Sequence, residues 1–280
     1  MSEILGFAFM QRALIAGALI GAVCAVVGVF VVLRGLSFIG AGIAHASFGG
    51  VALGFLLGVN PTWTAVAFCL ATAWGIAAVT RKARVREDTA VGIFFASTMA
   101  LGILFIGLMR GYNVDLFGFL FGSILAVMPE DLWITLGMGV VVLALVMALS
   151  KELLFITFDP EAAEVTGLPA SRLYFLLIGL IALAVVLSIK VVGIVLVSAL
   201  LVTPAAAAYQ LTEDFGRMMR LSVAIGVGSV EAGLLLSYLL NTASGATIVV
   251  LTTLVFFVAA AVSPRRRRLG SSAGRLGGRG

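Results

Sequence analysis

The sequence predicts an all-α fold, a polytopic transmembrane helix bundle of about nine spans with eight possible, and three observations carry that prediction. Of 280 residues, 62% are hydrophobic and 11% are charged, and the mean hydropathy is +1.20, whereas soluble domains average roughly 45–50% apolar and ~25% charged. The apolar residues fall into runs of about 17 to 22, the length a helix needs to cross ~30 Å of hydrocarbon. The basic residues fall between those runs, in a few short clusters.

Taken in order, the runs are 13–33, 38–59, 62–79, 90–109, 132–149, 173–189, 191–211, 221–240 and 246–262. The first is long enough to cross and is read as a span rather than a cleaved signal. A tenth apolar piece, 116–127, has only about 12 residues and suits a short re-entrant element. No polar stretch between the runs is long enough to bury its own core, so 1–263 is one transmembrane domain. The Arg/Gly/Ser-rich tail, 264–280, has almost no apolar content and is expected to be disordered.

Short loops rich in Lys and Arg prefer the cytoplasm, which tests the span count. With nine spans and the tail inside, the cluster Arg81, Lys82, Arg84 and Arg86 is inside, as are Arg217 and Arg220, and the N-terminus is outside. A tenth crossing through 116–127 would put the Arg81 cluster outside. The formal charge of +5 thus reads as membrane orientation, and no nucleic-acid partner is expected. Cys24 and Cys69 both lie inside apolar runs without C-x-x-C spacing and read as small core residues.

The same topology places 151–172 inside, and there lies FDPEAAEVTGLP. Asp159 can cap a helix with Pro160 at its first position and Glu161 and Glu164 in its first turns, and Gly167 followed by Leu168 and Pro169 is a stop signal. A short helix is therefore expected to project into the cytoplasm. Small residues four apart (Gly17 and Gly21, Gly50 and Gly54, Gly54 and Gly58, Gly118 and Gly122) predict close helix approach.

Ionisable groups inside hydrocarbon cost ~2.5–3.5 kcal/mol each on insertion scales, so the few present are informative. They are His45, Glu231, Lys190 and Asp115. His45, the one histidine, is either part of a transient metal site or a side chain hydrogen-bonded to a neighbouring helix. Glu231 could be a second metal ligand, a proton carrier or a paired carboxyl. Lys190 can snorkel to a surface. No G-x-x-x-x-G-K-[ST] loop is present, so ATP chemistry needs a second chain. H-E-x-x-H and G-x-S-x-G are also missing, which argues against an enzyme; no catalytic residue is assigned and no cofactor expected.

Five stretches together resemble the zinc, manganese and iron class of ABC-importer permeases: VLRGLSFIGAGIAHASFGGVALGFLLGVNP at 32–61, LFGSILAVMPEDL at 120–132, FDPEAAEVTGLP at 158–169, VVGIVLVSALLVTPAAAA at 191–208 and LLLSYLLNTASGATIVVL at 234–251. The resemblance implies a multi-pass protein of the prokaryotic cell membrane that pairs with a second permease copy. It implies cytoplasmic ATPase subunits and an extracytoplasmic metal-binding protein as partners. Asp159, Glu161, Ala162, Ala163 and Gly167 then form the coupling element that docks on the ATPase. The family commonly places an Asp one helical turn before the motif histidine; here that position is Ala41, so His45 carries over without its acidic partner, and Glu231 is the intramembrane acid left to substitute. The expected cargo is a divalent ion, zinc or manganese before iron. Two other readings stay open: a permease for a metal chelate, and a proton-coupled secondary transporter using Glu231.

Overall fold

A chain in hydrocarbon must satisfy its own backbone polar groups, and this one does so with helices. The computed structural model describes residues 8–109 and 129–263. Eleven helices occur among them: α1 (Ala8–Leu33), α2 (Ile39–Leu57), α3 (Pro61–Lys82), α4 (Glu87–Leu108), α5 (Pro129–Ala148), α6 (Ser150–Phe158), α7 (Pro160–Val165), α8 (Ala170–Val192), α9 (Ile194–Leu211), α10 (Phe215–Leu240) and α11 (Ser244–Val262). Eight are individually long and apolar enough to cross a membrane, and α5 with α6, bent by 64° at their junction, makes a ninth. The expected re-entrant piece, 116–127, the Gly118 and Gly122 pair, Asp115 and the tail, 264–280, lie outside the described residues.

Helices α1 and α8 form the centre. α1 packs on α5, α8, α9 and α10, and α8 on α1, α3 and α5, so both bury most of their surface. The sequence of α1 is apolar on nearly every side, as a helix enclosed by others requires. α4 and α11 lie at the periphery and leave most of their apolar surface uncovered within the chain. Cys24 and Cys69 are both fully buried and free.

Small residues set how closely these helices approach. A Cβ at Gly28 of α1 would overlap the Leu201 carbonyl oxygen of α9. Gly21 and Gly226 face each other where α1 meets α10, and a Cβ on Gly226 would come within 2.9 Å of the Gly21 carbonyl oxygen. Of the glycines spaced four apart, Gly50 and Gly54 face α3, whereas Gly58 instead takes a left-handed conformation (φ 67°) and ends α2.

Helix ends sort onto two faces. At one face Arg34, after α1, donates to the Ile156 carbonyl of α6 (3.3 Å), and Arg81 of α3 lies 3.8 Å from Glu164 of α7. There too the Phe30 and Phe215 rings meet at 5.7 Å, and Ser263 donates to the Gln210 carbonyl (2.9 Å). At the opposite face Thr62 and Trp63, starting α3, lie beside Ile134 of α5 and Val186 of α8. α5 therefore runs between the two faces, and α6 turns across the end. Residues 150–158, most of which fall in the inside segment 151–172 that the sequence places ahead of the Asp159 cap, are helical because Leu153 and Ile156, one turn apart, are both buried where α6 meets α1 and α8.

Two measurements check this arrangement. Gly28→Val forces two backbones apart and should lower stability in detergent by about 1–3 kcal/mol, read as a fall in unfolding midpoint. In a cysteine-free background, single cysteines at Arg84 and Glu213 should react with an impermeant maleimide from one side of the membrane and a cysteine at Asn241 from the other. Labelling of all three from the same side would overturn the nine-crossing arrangement.

Candidate functional site

Two separate regions hold the residues that the sequence marks out. One is α7 with the surface behind it; the other is the pair of intramembrane ionisable residues.

In α7 the Asp159 carboxylate accepts from the Ala162 N–H (2.8 Å), with Pro160 at the first helical position. The helix ends where Gly167 takes φ +87°, its N–H reaching the Glu164 carbonyl and the Leu168 N–H the Ala163 carbonyl (both 3.0 Å). Ala163 is fully buried, which seats α7 on the bundle, while Glu161 and Glu164 are exposed. Val165 is 89% exposed and Phe158 68% exposed, at the end of the bundle rather than along its lipid-facing sides. Uncovered apolar side chains at such a place mark a contact surface.

Behind α7 a cavity of about 300 Å³ is lined by Arg34, Arg81, Glu87, Glu164 and Tyr174, among others. Tyr174 of α8 is 6% exposed; its hydroxyl donates to the Glu87 carboxylate at the start of α4 (2.7 Å), and the Arg34 guanidinium lies 4.8 Å over its ring. None of Arg34, Glu87 and Tyr174 was marked by the sequence. They stand at helix ends 53 to 140 positions apart, and only folding brings them together.

His45 is half-buried on α2. Its Nδ1 lies 2.9 Å from the Ala41 carbonyl oxygen. Because that oxygen can only accept, Nδ1 carries the proton, and in the neutral ring the lone pair is on Nε2, free to bind a cation. The Phe95 ring of α4 meets the imidazole edge to face at 4.6 Å. Ala41 thus orients the histidine through its backbone, although it supplies no carboxylate.

Glu231 lies on α10, which packs mainly on α1, α9 and α11, whereas α2 packs mainly on α3, α4 and α9. His45 and Glu231 are therefore held on helices that share α9 as a neighbour. The Glu231 Oε1 atom is buried and has no hydrogen-bond partner among the described residues. Nor do those residues contain any group of three or more His, Cys, Asp or Glu placed to hold a metal ion. The Lys190 side chain lies outside what the structure describes.

Comparison with known proteins gives this arrangement a context. Residues 6–263 match the model of the ABC 3 transport family. A manganese transport system membrane protein, MntC, of Halalkalibacterium halodurans is 42% identical over 246 residues, covering 88% of this chain and 84% of that protein. A manganese import system permease protein, ScaB, of Streptococcus gordonii is 40% identical, covering 86% of this chain and 87% of the relative. The fold matches that of a chain in PsaBC from Streptococcus pneumoniae, solved in complex with Fab, with a TM-score of 0.85, 37% identity and coverage of 97% and 98% of the two chains. A family match across nearly the whole chain, joined to a helix bundle of the same shape, makes this protein a member of the ABC 3 transport family, a membrane-spanning permease.

Proposed function

We propose that this permease imports a divalent transition metal, manganese ahead of zinc or iron, as the membrane subunit of an ATP-driven complex. The observation that carries the reading is the match at about 40% identity, over most of each chain, to permeases named for manganese transport. A short capped helix and an exposed apolar pair support the ATP-driven part: α7, with Asp159, Glu161, Ala162, Ala163 and Gly167, presents Val165 to a partner beside Phe158 at the end of α6. That partner is a cytoplasmic ABC ATPase. The basic residues of the Arg34, Arg81 and Arg217 loops share the α7 face, so that face is cytoplasmic by the positive-inside rule. An extracytoplasmic metal-binding protein delivers the ion to the opposite face, and a second permease copy completes the path.

Along the path His45 offers the Nε2 lone pair and Glu231 a buried carboxyl oxygen, Oε1, with no hydrogen-bond partner among the described residues. Two ligands on helices that do not pack closely form a transient site, which suits an ion that must leave again. A resting site closed by four ligands would trap it.

The reconstituted complex with its ATPase and binding protein should accumulate manganese only when ATP is present. Uptake driven by a proton gradient without ATP would sink the reading. Losing even an outer partner of a metal site costs about ten- to hundredfold, so His45→Ala and Glu231→Gln should each lower manganese uptake by at least about tenfold while the protein stays folded. Adding Ala41→Asp to Glu231→Gln should recover part of the loss, since positions 41 and 45 share a helix face. Wild-type uptake from both single variants would remove these residues from the path and favour a chelated cargo.

Docking is tested separately. Glu161→Arg reverses an exposed charge, and Gly167→Val strains a φ of +87° by about 1–3 kcal/mol. Each should weaken ATPase association in pull-down from detergent with the permease still monodisperse. Unchanged association in both would show that α7 is not the docking element.

A further inference from the structure

The polar cluster behind α7 ties together helices that are otherwise distant in sequence. We propose that Tyr174, Glu87 and Arg34 form a latch that couples movement of α7 to α4, and through Phe95 to His45. The inference rests on the import reading above, because it assumes that α7 receives the ATPase.

The contacts run from α6, which leads directly into α7, to α4. Arg34 holds the Ile156 carbonyl of α6, one turn before α7 begins, and lies over the Tyr174 ring. Tyr174 donates to Glu87, the first residue of α4. From there α4 runs rigidly to Phe95, which lies against His45. A helix moves as a body because its hydrogen-bond ladder resists bending, so a shift at Glu87 reaches Phe95 two turns further on. The cavity of about 300 Å³ beside Glu164 and Glu161 leaves room on that side of α7, so that Ala163 is the one packed contact of the helix that a shift must disturb.

Magnitudes decide which link matters. Arg81 and Glu164 also join α3 to α7, but at 3.8 Å with 41% and 58% of their side chains exposed, a pair of that kind contributes ~0–1 kcal/mol. The Tyr174 hydroxyl is on a side chain 6% exposed and donates to a carboxylate at 2.7 Å. Hydrogen bonds to charged groups are the stronger class and carry orientation as well. The latch therefore runs through Tyr174 rather than through the surface pair.

The test uses the whole reconstituted complex and reads manganese ions transported per ATP hydrolysed. Tyr174→Phe removes one hydroxyl and should raise the ATP consumed per ion by about tenfold, as loss of a charge-assisted hydrogen bond predicts, with hydrolysis itself retained. Glu87→Ala should match it, and the double variant should be no worse than either single one. Glu87→Gln keeps an acceptor oxygen and should stay within about twofold of wild type. A merely structural bond would lower assembly in Tyr174→Phe, Glu87→Ala and the double variant without changing the ratio. A wild-type ratio in Tyr174→Phe overturns the proposal, and so do uptake and hydrolysis that fall in proportion. Should Tyr174→Phe fail to assemble, the contrast between Glu87→Gln and Glu87→Ala reads the same bond, and equal ratios there overturn it. ATP-dependent uptake by the wild-type complex, measured in parallel, keeps failure of the latch distinct from failure of the import reading.

Discussion

The absence of water from hydrocarbon is the constraint on which this structure rests. Each crossing must satisfy its backbone internally, and every described crossing does so as a helix. Lipid is as apolar as leucine, so helices gain little by hiding apolar side chains from it and associate through close packing instead. That explains why α1 meets α9 and α10 at glycines: Gly28 against the Leu201 carbonyl and Gly21 against Gly226. Close backbone contact at these points fixes α1 as the axis around which the other helices are arranged.

The same constraint confines chemistry to a few places. Charged residues gather at the helix ends, and there they form two kinds of structure. Arg84, Lys82 and Arg86 are exposed and set orientation. Arg34, Glu87 and Tyr174 turn inward, behind α7, and join four segments of chain. Within the bundle, hydroxyls mostly fold back on their own helix: Thr98 donates to the Phe94 carbonyl and Ser188 to the Ala184 carbonyl. His45 does likewise through Nδ1, which leaves Nε2 to other partners, whereas Glu231 cannot donate as a carboxylate and keeps a buried oxygen unpaired. This difference is chemical: a residue with a proton can bond to the carbonyl one turn earlier, and a carboxylate has no such outlet in a helix.

Much of the fold is legible in the sequence because its signals are local. A run of about 20 apolar residues must cross, whatever surrounds it. The Asp159 cap, Pro160 and Gly167 specify α7 within ten residues, and the structure begins and ends that helix where they stand. α6 escaped because its signal is only Leu153 and Ile156, two buried residues whose partners on α1 and α8 are far away in sequence. The candidate site is legible as residue types alone. His45 and Glu231 stand out because ionisable groups are rare in spans, yet nothing local shows that α2 and α10 pack chiefly on different neighbours.

What the sequence determined by itself is therefore the set of crossings, their direction relative to one another, the boundaries of α7 and the family resemblance, all of which depend on hydropathy, caps and motif order within short windows. Tertiary structure alone decided which helix ends share a cavity, that Phe95 faces His45, and that Arg34, Tyr174 and Glu87 meet. Those contacts join positions up to 140 residues apart. They follow from how the helices pack on one another, a sum of many weak packing terms that no short stretch of sequence contains.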